Sequence, residues 1–203
     1  MITNGRQTGR LVVIAGPMFA GKSTELLRRV NRARRAKTPT VVAKPSPGPS
    51  REVVRSHDGV EAEARLIIDS HGAYDDIIPH VEATGARLIA IDEAQFLRPW
   101  HVHEIRRLLE RGVDVICAGL DLDYAGIPFG PMPMLMAMAD EVLKLSAVCV
   151  VCGREATRTQ RLDHGKPAGP GPLILSGAEH YEPRCADCWV DPYQVREGPS
   201  DAG

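Results

Sequence analysis

A mostly parallel α/β sheet covered by helices on both faces, followed by a small second unit, is the fold class predicted by three observations. Apolar strand-like runs alternate with helical patterns through residues 11–145, and this alternation is what a parallel sheet with helical crossovers requires. A glycine-rich turn, Gly16-Pro17-Met18-Phe19-Ala20-Gly21-Lys22-Ser23-Thr24, joins the first run to the first helix. Four of the five cysteines fall in two C-x-x-C pairs in the last third of the chain, where the alternation stops.

Each element has a local reason. Residues 11–15, Leu-Val-Val-Ile-Ala, form a strand buried on both faces, and residues 22–36 form a helix that follows the glycine turn. Residues 40–44 form a second strand. The stretch Pro45-Ser46-Pro47-Gly48-Pro49-Ser50 is predicted to be a loop, because proline lacks a backbone donor and resists both ladder and helix. A helix is expected over 73–84, a buried strand over 88–91, a helix with proline near its start over 99–111, and a strand over 113–118. A short helix over 134–139, its methionines read as core filler, precedes a strand over 141–145. Beyond Cys149 the segments shorten, the Pro/Gly-rich stretch 165–172 intervenes, and the end, 196–203, is expected to fray.

At 203 residues and a net charge of −1, the chain lacks the basic excess of a dedicated nucleic-acid binder. It contains no run of eighteen apolar residues, and its first nine residues lack the apolar centre of a secretory signal, so a cytoplasmic protein is expected. In a reducing compartment the cysteines read as metal ligands or buried thiols.

The turn fits G-x-x-x-x-G-K-[ST] between a strand and a helix, which is the pattern of a nucleotide phosphate site, the P-loop. Glycine at both ends lets the backbone fold around an anion with its N–H groups inward, at the positive end of the helix dipole. Lys22 supplies a point charge to the β and γ phosphates, and the Ser23 hydroxyl can ligate magnesium. A chance glycine turn is the alternative, and the strand before and helix after it weigh against that.

Cys149-Val150-Val151-Cys152 and Cys185-Ala186-Asp187-Cys188 offer four thiolates, the donor set of closed structural zinc. The 32 residues from Gly153 to Arg184 exceed the usual ribbon spacing, so a long excursion leaves the metal site and returns to it. An iron–sulfur cluster or a redox dithiol is the other reading, without a thioredoxin-like context to support it. Cys117, in a predicted strand, reads as a small buried hydrophobe. Asp92 and Glu93 end the strand over 88–91, where a carboxylate suits magnesium. If the strand continued, the two acids would face opposite ways, one toward magnesium and the other toward a substrate.

Gly16 to Leu26, Asp92-Glu93-Ala94-Gln95-Phe96, Pro128-Phe129-Gly130 and the four cysteines, in this order and spacing, resemble the type II thymidine kinase family over roughly residues 11–193. The resemblance implies a P-loop kinase that moves the γ-phosphoryl of ATP to the 5′-hydroxyl of thymidine. By position it implies that residues 16–24 with Asp92 and Gln95 bind the nucleotide, that Ser23 and Asp92 serve Mg2+, and that Glu93 is the general base. Arg51 stands where the family has an arginine near the transferred phosphate, so Lys22, Arg51 and Glu93 form the implied catalytic set. Met18, Leu120, Tyr124, Phe129, Thr159, Ile174 and Tyr181 match thymidine-contacting positions. The excursion between the cysteine pairs becomes a lid whose ends the zinc anchors.

The implied division is a flexible N-terminus over 1–9, a P-loop domain over 10–146, a zinc-binding lid over 147–193 and a flexible tail over 194–203. A homotetramer with feedback inhibition by thymidine triphosphate is implied, with no nucleic-acid or membrane partner. The chain departs from the family at Ala94, a usual glycine, at Leu97, a common aromatic, and in the Pro/Gly-rich stretch 165–172. His57-Asp58 matches a family pair to which no role is given. Two other classes remain: a P-loop ATPase acting on nucleic acid through the basic strip 28–37, and a non-catalytic zinc-ribbon interaction protein. The strip also reads as a solvated helix face.

Overall fold

A computed structural model of the chain describes residues 8–46, 53–55, 61–63, 66–69, 77–172 and 180–195. Strand β1 (Leu11–Ala15) is buried along all five residues, as an interior strand of a parallel sheet must be. Helix α1 (Lys22–Arg35) starts from Gly21 in the left-handed conformation and buries Leu26, Leu27 and Val30 on one face. Strand β2 (Thr40–Ser46) follows, then a small antiparallel pair, β3 (Val53–Arg55) with β4 (Glu61–Glu63), and strand β5 (Leu66–Asp69). The remaining elements of the sheet layer are α2 (Ile77–Thr84), β6 (Leu88–Ile91), α3 (Pro99–Glu110), β7 (Asp114–Gly119), α4 (Met132–Met138) and β8 (Glu141–Lys144).

Six strands form one sheet in the order β5-β2-β6-β7-β1-β8, and every pairing in it is parallel. The two-residue strand period divides the core between its faces. Leu11, Val13, Ile89, Ile91, Val115 and Cys117 pack on one side with α3, while Val12, Ile14, Leu88, Ala90, Ile116 and Ala118 pack on the other with α1. This is the predicted α/β class, helices covering both faces of a parallel sheet.

Two local expectations are corrected. Strand β2 does not stop at Lys44 but runs through Pro45 and Ser46, which pair with Ile68 and Asp69 of β5. Its other neighbour, β6, ends its pairing at Ala43↔Ile91, and alternation turns Pro45 toward that vacated side. The missing N–H therefore costs no ladder bond there. The methionines before β8 are not all core. Met132 is fully buried, but Met134 and Met138 are 46% and 39% exposed, because a seven-residue helix packs only one face. The helix expected over 73–84 is described from Ile77 onward, and 73–76 lie outside the described residues.

After the sheet, β9 (Ala147–Val148) pairs antiparallel with β10 (Glu155–Ala156). Strand β11 (Arg158–Asp163) lies between β12 (Lys166–Pro167) and β13 (Tyr181–Arg184). Among the described residues the buried apolar cluster of this unit is Ala147, Cys149, Ala156 and Cys185. So small a core needs a cross-link to hold it. Among the described residues no helix is long and apolar enough to cross a membrane. On α1, Arg28 and Arg29 both bond Glu25, and Arg29 also reaches Glu141 at 2.7 Å, so part of the basic strip is neutralised within the fold.

Candidate active site

The sheet order sets β6, β7 and β1 side by side, so their carboxyl ends bring the P-loop, Asp92-Glu93 and Leu120 together. Open α/β sheets bind ligands at this edge. The P-loop needs its glycines. Gly16 has φ 145° and a Cβ there would meet the Leu145 carbonyl oxygen at 2.4 Å, while Gly21 turns at φ 78° into α1. Phe19 also adopts a positive φ, 64°, and its side chain is 37% exposed.

Lys22 Nζ donates to the Pro17 carbonyl at 2.6 Å. Burial lowers its pKa from the ordinary lysine value, opposed by the charges of Glu93, Asp92 and Asp121. The Ser23 hydroxyl lies 3.0 Å from Asp92 Oδ2 and 3.2 Å from Oδ1 and donates to that carboxylate. Asp92 is 5% exposed, and burial, then repulsion from Glu93, raises its pKa to about 6, against the pull of the Ser23 bond.

Burial of Asp92 has a measurable consequence. A carboxylate whose folded pKa lies above its unfolded value binds its proton more tightly when folded. Its contribution to stability is therefore present in full below the unfolded value of 3.8 and is lost as pH rises through about 6. In magnesium-free buffer, Asp92→Asn should gain stability over the parent by on the order of 1–3 kcal/mol at pH 8, and the gain should shrink as pH falls to 5. Urea denaturation across that range measures it, and a pH-independent difference would contradict the buried, charged Asp92.

The expectation that Asp92 and Glu93 face different ways depended on the strand continuing. It ends at Ile91, and Glu93 takes φ 54°, the left-handed region, at the start of a 3-10 turn over Ala94–Phe96. Both carboxylates consequently line one cavity. A non-glycine residue held there stores roughly 1–2 kcal/mol of strain. The turn is held by Gln95, which is 2% exposed: its Nε2 donates to Glu93 Oε2 at 2.5 Å, and its Oε1 accepts from Leu120 N–H at 3.0 Å. Two glycines make room for it. A Cβ on Gly119 would meet Gln95 Oε1 at 2.7 Å, and one on Gly130, at φ 52°, would meet the Gln95 carbonyl at 2.1 Å.

The cavity encloses about 200 Å³. Lys22, Ser23, Thr24, Asp92 and Glu93 form its polar floor, and Met18, Phe19, Leu120, Tyr124, Phe129 and Tyr181 form its apolar wall. Gly21, Gln95 and Thr159 complete the expected residues that reach it. Gly16, Pro17 and Ala20 shape the loop without lining the cavity. Phe96 stacks edge-on against Phe129 at 5.5 Å, and Met18 N–H donates to Thr159 Oγ1 at 3.1 Å, tying the P-loop to β11. Arg51, His57, Asp58 and Ile174 lie outside the described residues.

Several groups at the site were not anticipated. Phe96 and Asp123 line the cavity. Asp121, 6% exposed, pairs with Lys144 at 2.9 Å, a link between the ends of β7 and β8 on either side of β1. The only sequence signal was an acid just past an apolar strand.

The four cysteines of the two C-x-x-C pairs place their sulfurs within 4.8 Å of one another, with Cys152 Sγ and Cys185 Sγ 3.6 Å apart. Tetrahedral zinc with bonds of about 2.3 Å needs sulfur separations of roughly 3.8 Å, so the four can hold a zinc ion. Arg154 donates to Cys152 Sγ at 3.4 Å and Cys185 Sγ at 3.7 Å and pairs with Asp187 at 2.7 Å, putting positive charge beside the thiolates. Cys117 takes no part. It is fully buried in β7, and burial pushes its thiol up to about 12.

Residues 9–189 match the family model described as Thymidine kinase.

Proposed function

The chain belongs to the thymidine kinase family, and from that premise we propose that it transfers the γ-phosphoryl of ATP to the 5′-hydroxyl of thymidine, giving thymidine monophosphate. The observation that carries this is one cavity with Lys22, Ser23, Asp92 and Glu93 on its floor and a wall of Met18, Leu120, Tyr124, Phe129 and Tyr181. Phosphates suit the floor, and an apolar pyrimidine face suits the wall.

The donor set fits an oxygen-ligated cation, because the buried Asp92 carboxylate beside Glu93 and the Ser23 hydroxyl 3.0 Å from it are hard oxygen ligands. Ser23 and Asp92 would hold Mg2+, which supplies charge neutralisation to the transferring phosphate. Lys22 exchanges its bond to the Pro17 carbonyl for phosphate oxygens, and the loop amides orient them. Gln95 occupies Glu93 Oε2, which leaves Oε1 to accept the 5′-hydroxyl proton. Arg51 adds positive charge at the same phosphate. Thr159, Ile174 and Tyr181 bring the lid over the base, with zinc closing the loop's ends. Positioning and electrostatics then account for most of the rate.

In the same reading, 10–146 is the ATP-binding domain and 147–193 the lid, and most of the two ends lies outside the described residues. The enzyme is a cytoplasmic homotetramer inhibited by thymidine triphosphate. Incubation with Mg2+ and ATP, with either thymidine or single-stranded DNA, tests the proposal. Thymidine monophosphate should form and DNA should leave ATP hydrolysis unchanged. DNA-stimulated hydrolysis without nucleotide product would favour a nucleic-acid ATPase instead.

A further inference from the structure

The Pro/Gly-rich stretch 165–172, the part of the lid least expected to hold a single conformation, is tied down by one buried side chain. Arg161, in β11, is 4% exposed. Its guanidinium lies 4.2 Å from the centroid of the Tyr124 ring, donates from Nη1 to the Pro172 carbonyl at 2.8 Å, and donates from Nη2 to the Gly169 carbonyl. Tyr124 and Gly171 bond each other twice: the phenol donates to the Gly171 carbonyl at 2.8 Å, and the Gly171 N–H donates to the phenol oxygen at 3.0 Å. No space remains between Gly171 and Arg161. A Cβ on Gly171 would sit 2.5 Å from Arg161 Nη2.

Among the described residues no carboxylate pairs with Arg161, so its buried charge is compensated by two carbonyls and a ring face. Burying a cation is costly without such partners, and a planar donor fork on an aromatic face supplies both kinds at once. Lysine could make only part of this set. Tyr124 also lines the cavity, while β11 carries Thr159 to the P-loop two residues before Arg161.

We propose that Arg161 is a positioning residue that holds residues 169–172 against Tyr124 before any nucleoside binds, so that the base side of the cavity is already formed. The binding consequence rests on the functional reading above, whereas the brace itself does not. Without the brace the lid must order itself at the moment of binding, which weakens nucleoside capture and leaves the ATP side untouched.

Two readouts separate the ideas. In the zinc-loaded, substrate-free protein, amide hydrogen exchange at Gly171 should accelerate on the order of tenfold or more in Arg161→Gln, with partial return toward the parent rate in Arg161→Lys. Gly171→Ala, which crowds Arg161 without changing it, should do the same and covers the case in which Arg161→Gln fails to fold. In kinetics, Arg161→Gln should raise KM for thymidine roughly tenfold while KM for ATP stays within about twofold. Unchanged amide exchange at position 171 in both variants overturns the brace, and an equal rise in both KM values overturns its binding consequence. Faster exchange in a protein that phosphorylates no nucleoside would uphold the brace and reject the functional reading alone.

Discussion

Glu93→Gln should lower kcat by about 10²–10⁴ and leave KM for ATP within about threefold. The amide keeps the size of the side chain but cannot take the 5′-hydroxyl proton. Gln95 Nε2 then faces an amide where it faced Glu93 Oε2, and because an amide oxygen still accepts, the turn over Ala94–Phe96 survives. The loss corresponds to roughly 3–5 kcal/mol of transition-state stabilisation, more than the strain stored at φ 54° could return. A variant retaining half its turnover would remove Glu93 from the base role. Lys22→Ala should behave differently, raising KM for ATP as well as lowering kcat, because it removes a phosphate contact from ground state and transition state alike.

Cys185→Ser should lose its zinc and, with it, the order of the lid and nearly all nucleoside phosphorylation. The reason is the poverty of the local core: among the described residues Ala147, Cys149, Ala156 and Cys185 form the buried apolar cluster of that unit, and two of the four belong to the set that can hold zinc. Structural zinc is worth about 10–16 kcal/mol to small domains at neutral pH, far beyond what four small side chains contribute by burial. Cys117→Ser is the control. It sits in β7 away from the cluster, so it should keep one zinc per chain and lose only about 1–3 kcal/mol of stability through a buried hydroxyl. Metal analysis of both proteins decides the matter, and equal zinc in the two would sink the four-cysteine site.

The interior strands were legible because burial on both faces writes itself as an unbroken apolar run. Residues 11–15 and 88–91 are strands to the residue for that reason. The glycine turn was legible because phosphate binding demands glycine at fixed spacing, and the cysteine pairs because thiolate geometry does. Failures came where long-range partners decide. Pro45 reads as a breaker until the register shows that β6 has ended beside it. The pair β3–β4 and strand β5 are three or four residues each, too short to show a period. Gln95 reads, by resemblance, as a nucleotide-binding residue, and its hold on Leu120, 25 positions away, shows only in the fold. Nothing in the sequence singles out Arg161, and only the fold shows it buried on the Tyr124 ring.

The most direct test compares kcat/KM for thymidine, deoxyuridine and deoxyguanosine with Mg2+ and ATP, identifying the 5′-monophosphate in each case. A wall of Met18, Leu120 and Tyr181 can reward the pyrimidine methyl only by apolar fit. One such group is worth about 1–3 kcal/mol, so thymidine should exceed deoxyuridine by roughly 10–200-fold, with deoxyguanosine far below both. The larger ring of a purine should collide with the lid and leave polar groups there unpaired. Deoxyguanosine as the best of the three substrates would contradict a lid that reads pyrimidines, and with it the assignment of this cavity to thymidine.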